Sequence, residues 1–178
     1  MTFDHDSGLS TLAPDIELPA RVGLLHRLGL GEPDPEFDAF AADLAHAAGV
    51  PYAMVNLVTN EQSFVGLHSP SDGDIPAVGR TMARNHGYCP EVVSRRLPLV
   101  LPDVTAYPRF AGNEVVDLIG IRTYAGAPLI HEPTGIVLGT VCFVGPEERP
   151  LSTGQASLDL IKNRRNQLMD VIYRRSNQ

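Results

Sequence analysis

The chain has 178 residues, of which 43% are hydrophobic and 20% charged, with no Trp and a formal net charge of −7. That length suits a single folded domain with a real core. The acidic balance argues against general binding to phosphate backbones or anionic membranes, and the sparse aromatics argue against a nucleic-acid stacking platform.

Residues 1–19 mix Asp, Ser, Pro and Gly without periodicity, so a flexible N-terminal tail is expected there, followed by one domain over 20–178. A short helix is predicted over 20–28, with Val22, Leu25 and Leu28 on its apolar side, ended by Gly29, Gly31 and Pro33. The next helix has Asp34 as N-cap, Pro35 at its first position and Glu36 near the positive end of its dipole. Phe37, Phe40, Ala41 and Leu44 recur at helical spacing, and Gly49 stops it. Residues 52–58 (YAMVNLV) read as a buried strand, and a tight turn at 59–61 leads to a second strand over 62–67.

Residues 68–80 form a loop by composition. A helical region follows between 80 and 98, its clearest start being Cys89-Pro90-Glu91. A short strand is predicted at 99–101, a loop over 102–112 and a short helix over 113–118. Strands at 122–128 and 136–144 are expected to pair across 131–135. The last helix, 152–175, carries Leu158, Ile161, Arg165, Leu168 and Ile172 in steps of three and four, a seam suited to packing within the domain or to a homodimer. Lys162, Arg164, Arg165, Arg174 and Arg175 read as its solvated face. This order implies an antiparallel sheet with helices on its faces.

No apolar run approaches the ~18–20 residues that span a bilayer, and the N-terminus lacks a signal-peptide pattern. Two cysteines make no secreted disulfide framework, so a cytoplasmic location is expected.

Several pieces together resemble the GAF family of sensory domains, over about residues 21–175. They are FDAFAADLAHAAGVPYAMVNLVTNEQSFVG, GYCPEVVSRRLPLVLPDVTAYPRFAGN, IRTYAGAPL and GIVLGTVCFVG. Within them lie Leu99-Val100-Leu101-Pro102-Asp103, Arg109-Phe110 with Asn113, Tyr124-Ala125-Gly126-Ala127-Pro128-Leu129 and Gly139-Thr140-Val141-Cys142. The resemblance implies an α+β fold: a central antiparallel sheet of five or six strands, N- and C-terminal helices on one face, a ligand pocket on the other. It implies a sensory or regulatory role: binding a small ligand or sensing redox state, and signalling to a separate partner protein. Where many relatives carry Phe-Cys-x-His, this chain has Tyr88-Cys89-Pro90-Glu91, without the His that would help a tetrapyrrole or metal. The "NKFDE" set of cyclic-nucleotide-binding members is also not assembled. No cofactor is assigned, and neither a nucleic-acid nor a membrane partner is expected.

Cys89 precedes a Pro that opens a helix in a loop-rich region, where solvent access and helix N–H groups favour a thiolate, so it is the candidate reactive thiol; Cys142 lies in an apolar strand that shields it. A disulfide between them requires a short Cα separation. Arg109 and Arg122 suit bidentate recognition of a carboxylate, nitrate or phosphate, or Arg109 pairs with Asp103 to cap a turn. Tyr88, Phe110 and Tyr124 would wall a small-molecule cavity. The expected ligand set is therefore Tyr88, Cys89, Asp103, Arg109, Phe110, Asn113, Arg122, Tyr124 and Thr140, bounding one cavity between residues 80–93, 103–124 and the strand of Thr140. His86 and Cys89 form H-x-x-C, too few ligands for zinc, so no metal is assigned. No catalytic signature is present, and a non-enzyme is favoured. If the chain is an enzyme, Cys89 would be nucleophile and His86 base, in a small thiol-dependent reaction on an oxidised metabolite. A structural dimerisation module is the remaining alternative.

Overall fold

The strand at residues 52–58 alternates strictly between two apolar faces, so a sheet built on it must be covered on both sides. A computed structural model describes residues 2–4, 9–11, 14–70 and 73–178 and shows this arrangement. Its elements are β1 (Thr2–Asp4), β2 (Leu9–Thr11), α1 (Leu18–Arg27), α2 (Pro35–Ala48), β3 (Tyr52–Val58), β4 (Glu61–His68) and β5 (Thr81–Ala83). They continue with α3 (Cys89–Arg95), β6 (Leu99–Leu101), α4 (Pro108–Ala111), α5 (Glu114–Leu118), β7 (Thr123–His131), β8 (Ile136–Gly145) and α6 (Gly154–Ser176). No helix among the described residues is long and apolar enough to cross a membrane.

Six strands form one antiparallel sheet in the order β5-β4-β3-β8-β7-β6, and β1 pairs with β2 in a separate two-stranded ladder. That ladder and the first residues of α1 fall within the stretch expected as a tail, of which residues 1, 5–8, 12 and 13 lie outside the described residues. Ala53, Val55 and Leu57 of β3, with Val141 and Phe143 of β8 and Ala125, Ala127 and Leu129 of β7, face one core. Leu24 and Leu25 of α1, Phe37, Ala41 and Leu44 of α2, and Ile161, Leu168 and Ile172 of α6 cover it. Gly66 of β4 lets α2 lie this close, since a Cβ there would sit 2.6 Å from the Phe37 carbonyl oxygen. The α6 seam is thus used inside the domain at Ile161, Leu168 and Ile172.

Local signals explain the helix ends. Asp34 accepts a hydrogen bond from the Glu36 amide at 2.8 Å, and Gly49 closes α2 at φ 67°. Three expectations need correction. The loop expected over 102–112 holds the short helix α4. Val22 is 47% exposed, and the buried stripe of α1 is instead Arg21, Leu24 and Leu25. The helix expected between 80 and 98 is confined to Cys89–Arg95, and Thr81–Ala83 adds an edge strand to β4; three residues are too short for a periodic signal.

Arg21 is 1% exposed and closes one end of the sheet. Its Nε donates to the Val137 carbonyl, and its Nη1 to Asp15 at 2.5 Å and to the Val58 carbonyl at 3.2 Å. Asp15 also pairs with Arg84 at 2.6 Å, and Glu17 with Arg96 at 2.9 Å. Arg96 caps α3 in the left-handed region at φ 59°, where its hydrogen bonds to Glu17 and the Gly135 carbonyl offset the cost for a non-glycine residue. The start of α1 therefore grips both ends of the segment that runs from Arg84 through α3.

Candidate functional site

The opposite sheet face carries the even-numbered residues of β3, β7 and β8. Tyr52, Met54, Tyr124, Cys142 and Val144 meet Tyr88, Cys89 and Val92 of the α3 region, with Val115, Val116 and Ile121 closing the far side. Set among these apolar groups are polar ones. Asn56 and Thr140 are neighbours across the β3–β8 ladder and fully buried. The Asn56 amide donates to Gln62 Oε1 at 2.8 Å, but its own oxygen has no hydrogen-bond partner among the described residues. Neither does Oγ1 of Thr140, although Thr140 and Asn56 both lie near enough to Cys89 to help draw its ionisation down without meeting hydrogen-bond geometry. Buried polar atoms left without a partner are rare in folded proteins and each calls for an explanation.

Tyr124 lies across Gly126, so a Cβ at Gly126 would fall 2.7 Å from Tyr124 Cζ. That close approach brings the Tyr124 hydroxyl to 3.2 Å from the Cys89 thiol. Gly126→Ala is accordingly expected to swing the ring out of this position. A fluorescence spectrum and a phenol titration unchanged from the parent protein would refute that.

Cys89 and Cys142 are 5% and 2% exposed. The expectation of an accessible Cys89 thiol therefore does not hold: α3 turns it inward against the sheet. The Cys142 thiol alongside draws Cys89 below the ordinary thiol range, against the effect of burial, with Thr140, Tyr124 and Asn56 adding to the pull. Cys89 in turn, together with burial, pushes Cys142 well up. Burial also raises Tyr124, and Tyr88 to about 12.

A lid of α4 and α5 covers this cluster through named contacts. Asn113 accepts from the Gly87 amide and donates to the Gly87 carbonyl, both at 2.9 Å, while its oxygen also caps α5. The Tyr88 hydroxyl donates to the Phe110 carbonyl at 2.8 Å, and Tyr88 packs edge-on against Phe110 and Tyr124 at 5.6 and 5.3 Å. Arg109, 55% exposed, bonds Oε1 of the buried Glu91 at 2.7 Å; Glu91 Oε2 has no hydrogen-bond partner among the described residues.

Of the residues singled out from sequence, Tyr88, Cys89, Phe110, Tyr124 and Thr140 come together, with Arg109 and Asn113 at the lid. Asp103 instead caps the turn at Thr105, at 3.0 Å to its amide. Arg122 donates to the carbonyls of Val116 and Ile121 at 3.2 and 3.0 Å. His86 pairs with Glu114, whereas Cys89 faces Tyr124 and Cys142. Sequence reasoning missed Asn56, Gln62 and Glu91. The only signal for Asn56 was one amide inside an apolar strand. Two open grooves lie elsewhere: about 580 Å³ between α2 and α6 beside Phe40 and Val171, and about 500 Å³ at the end of α1.

Residues 32–162 match the family model described as GAF domain. No curated protein matches significantly. Among solved structures, the chain is similar to the GAF domain from an Acinetobacter phosphoenolpyruvate-protein phosphotransferase, at 14% identity and TM-score 0.57, covering 91% of this chain and 96% of that one. A far-red cyanobacteriochrome photoreceptor is similar at 12% identity and TM-score 0.62, over 89% and 94%. Free methionine-R-sulfoxide reductase from Neisseria meningitidis, in complex with its substrate, is similar at 16% identity and TM-score 0.55, over 96% and 97%. At these identities the likeness is one of fold.

Proposed function

Because the chain belongs to the GAF domain family, we propose that it is a sensory domain that binds a small polar ligand between the sheet and the α3–α5 layer. The observation that carries this reading is the pair of unpartnered polar atoms, Asn56 Oδ1 and Thr140 Oγ1, buried on neighbouring strands beside Cys89 of α3, next to a lid latched by a few polar contacts. A ligand that donates to these atoms would satisfy them and bring Tyr88, Phe110 and Tyr124 around its apolar part. Arg109 and Glu91 supply charge at the lid, and Arg122, Asn113 and Asp103 complete the proposed set as supports.

Ligand binding would shift the lid and, through Arg84 and Arg96, the start of α1. Signalling to a separate partner protein and a cytoplasmic location belong to the same proposal. A homodimer would form through what the helices leave open: Val22, and the groove beside Phe40 and Val171. The thiol pair favours a second reading, a small thiol-dependent enzyme acting on an oxidised metabolite; reductase turnover abolished by Cys89→Ser would select it.

Native mass spectrometry of protein purified under reducing conditions from its own host tests the sensory reading. The expected result is a bound small molecule that stabilises the fold by about 3 kcal/mol at a hundredfold excess over Kd. A chain that carries nothing, and whose unfolding no small-molecule library shifts, would overturn it.

A further inference from the structure

We propose that Cys89 and Cys142 form a reversible dithiol–disulfide site oxidised by hydroperoxides, the class of hydrogen peroxide. This goes beyond the ligand-binding reading and does not depend on it.

The two thiols come from distant parts of the chain, the first residue of α3 and the middle of β8, yet they lie in one buried cluster. Cys142 stands opposite Gly126 in the β7–β8 ladder, and the Tyr124 hydroxyl that reaches Cys89 lies over that same Gly126. Each thiol is also the largest influence on the other's ionisation. Their remaining neighbours differ. The Cys89 sulfur has the Tyr124 hydroxyl at 3.2 Å and the unpartnered Thr140 hydroxyl close by, whereas Cys142 has the Met54 sulfur at 3.8 Å. Hydroxyls favour a thiolate, and a thioether does not. The pair is thus divided into an attacking thiol, Cys89, and a protonated resolving thiol, Cys142.

The steps balance with the peroxide as sole oxidant. The Cys89 thiolate attacks one peroxide oxygen and the O–O bond breaks; the departing hydroxide takes a proton and leaves as water. Cys89 is then a sulfenic acid. The Cys142 sulfur attacks the Cys89 sulfur, an S–S bond forms, and the sulfenic hydroxyl leaves as a second water with the Cys142 proton. Two thiols lose two electrons in all, and a thiol reductant restores them. Tyr124, whose hydroxyl stands beside the reacting sulfur, is placed to donate to the departing oxygen. Since both sulfurs are buried, the rate is set by opening of the lid over Tyr88. The disulfide would tie the first turn of α3 to β8 and shift the position of Tyr124.

The test treats the reduced full-length chain with a few equivalents of hydrogen peroxide, blocks free thiols, and reads intact mass and non-reduced peptides. The expected product has lost two hydrogens, contains a Cys89–Cys142 linked peptide and is reversed by dithiothreitol. Cys142→Ser should instead accumulate a sulfenic acid at Cys89 that dimedone traps, and Cys89→Ser should leave Cys142 reduced at the same dose. Three results would overturn the site: both thiols reduced at a dose that fully oxidises glutathione, Cys142 oxidised first, or Cys89 carried to sulfinic acid with Cys142 free. The wild-type peptide map decides alone if a variant fails to fold. Because ligand binding is measured on reduced protein, failure of either idea leaves the other standing.

Discussion

Replacing Arg21 with methionine is expected to destabilise the fold by about 3 kcal/mol, with the slope of the urea transition unchanged. Methionine keeps most of the buried bulk but donates nothing, so the carbonyls of Val58 and Val137 lose a donor inside the protein. Asp15 keeps Arg84 but loses its most buried cation. Burial raises the Asp15 carboxyl, yet Arg21 and Arg84 together hold it below its ordinary 3.8. A carboxyl depressed in the folded state contributes stability above its unfolded pKa and loses it as pH falls through the folded value. The variant should therefore show a shallower loss of stability below about pH 4 than the parent. Amide exchange should also quicken over residues 84–96, because Arg84 and Arg96 depend on Asp15 and Glu17 for their position. A change under about 1 kcal/mol, with α3 protection intact, would show that the hub neither stabilises nor couples.

Much of the sheet was legible because its strands obey simple rules. β3 and β6 fall at the predicted residues, and α2 announces itself by Asp34, Pro35 and Gly49. What failed did so where tertiary contacts override local pattern. Arg21 occupies an apolar stripe with Leu24, Leu25 and Leu28, yet a charge there reads as solvent-facing unless its carbonyl and carboxylate partners are known. The spacing of α6 offered both internal packing and dimerisation, and no local feature chooses between them. At the site, aromatic and family-like residues were visible in the sequence. Asn56 and Glu91 were not, because what distinguishes them is one buried oxygen on each that has no hydrogen-bond partner among the described residues. Cys89 misled in one respect: a helix start suggests access for a thiol, whereas the lid and sheet enclose this one.

Thr140→Val is expected to separate ligand binding from stability, with opposite signs. Valine is close to threonine in shape, so the substitution removes a hydroxyl without opening a cavity. A buried hydroxyl with no hydrogen-bond partner costs free energy, and Thr140 Oγ1 has none among the described residues. The variant should then be more stable by about 1 kcal/mol, read as a higher urea midpoint at unchanged slope. Affinity should move the other way: a ligand that donates to Thr140 Oγ1 loses that bond and keeps its desolvation cost, weakening binding by roughly tenfold or more. Asn56→Leu makes a harsher control, since it also strips Gln62 Oε1 of its donor and should therefore destabilise. If Thr140→Val instead loses stability while binding is unaffected, its hydroxyl is a structural group already satisfied, and the pocket does not lie along the β3–β8 ladder.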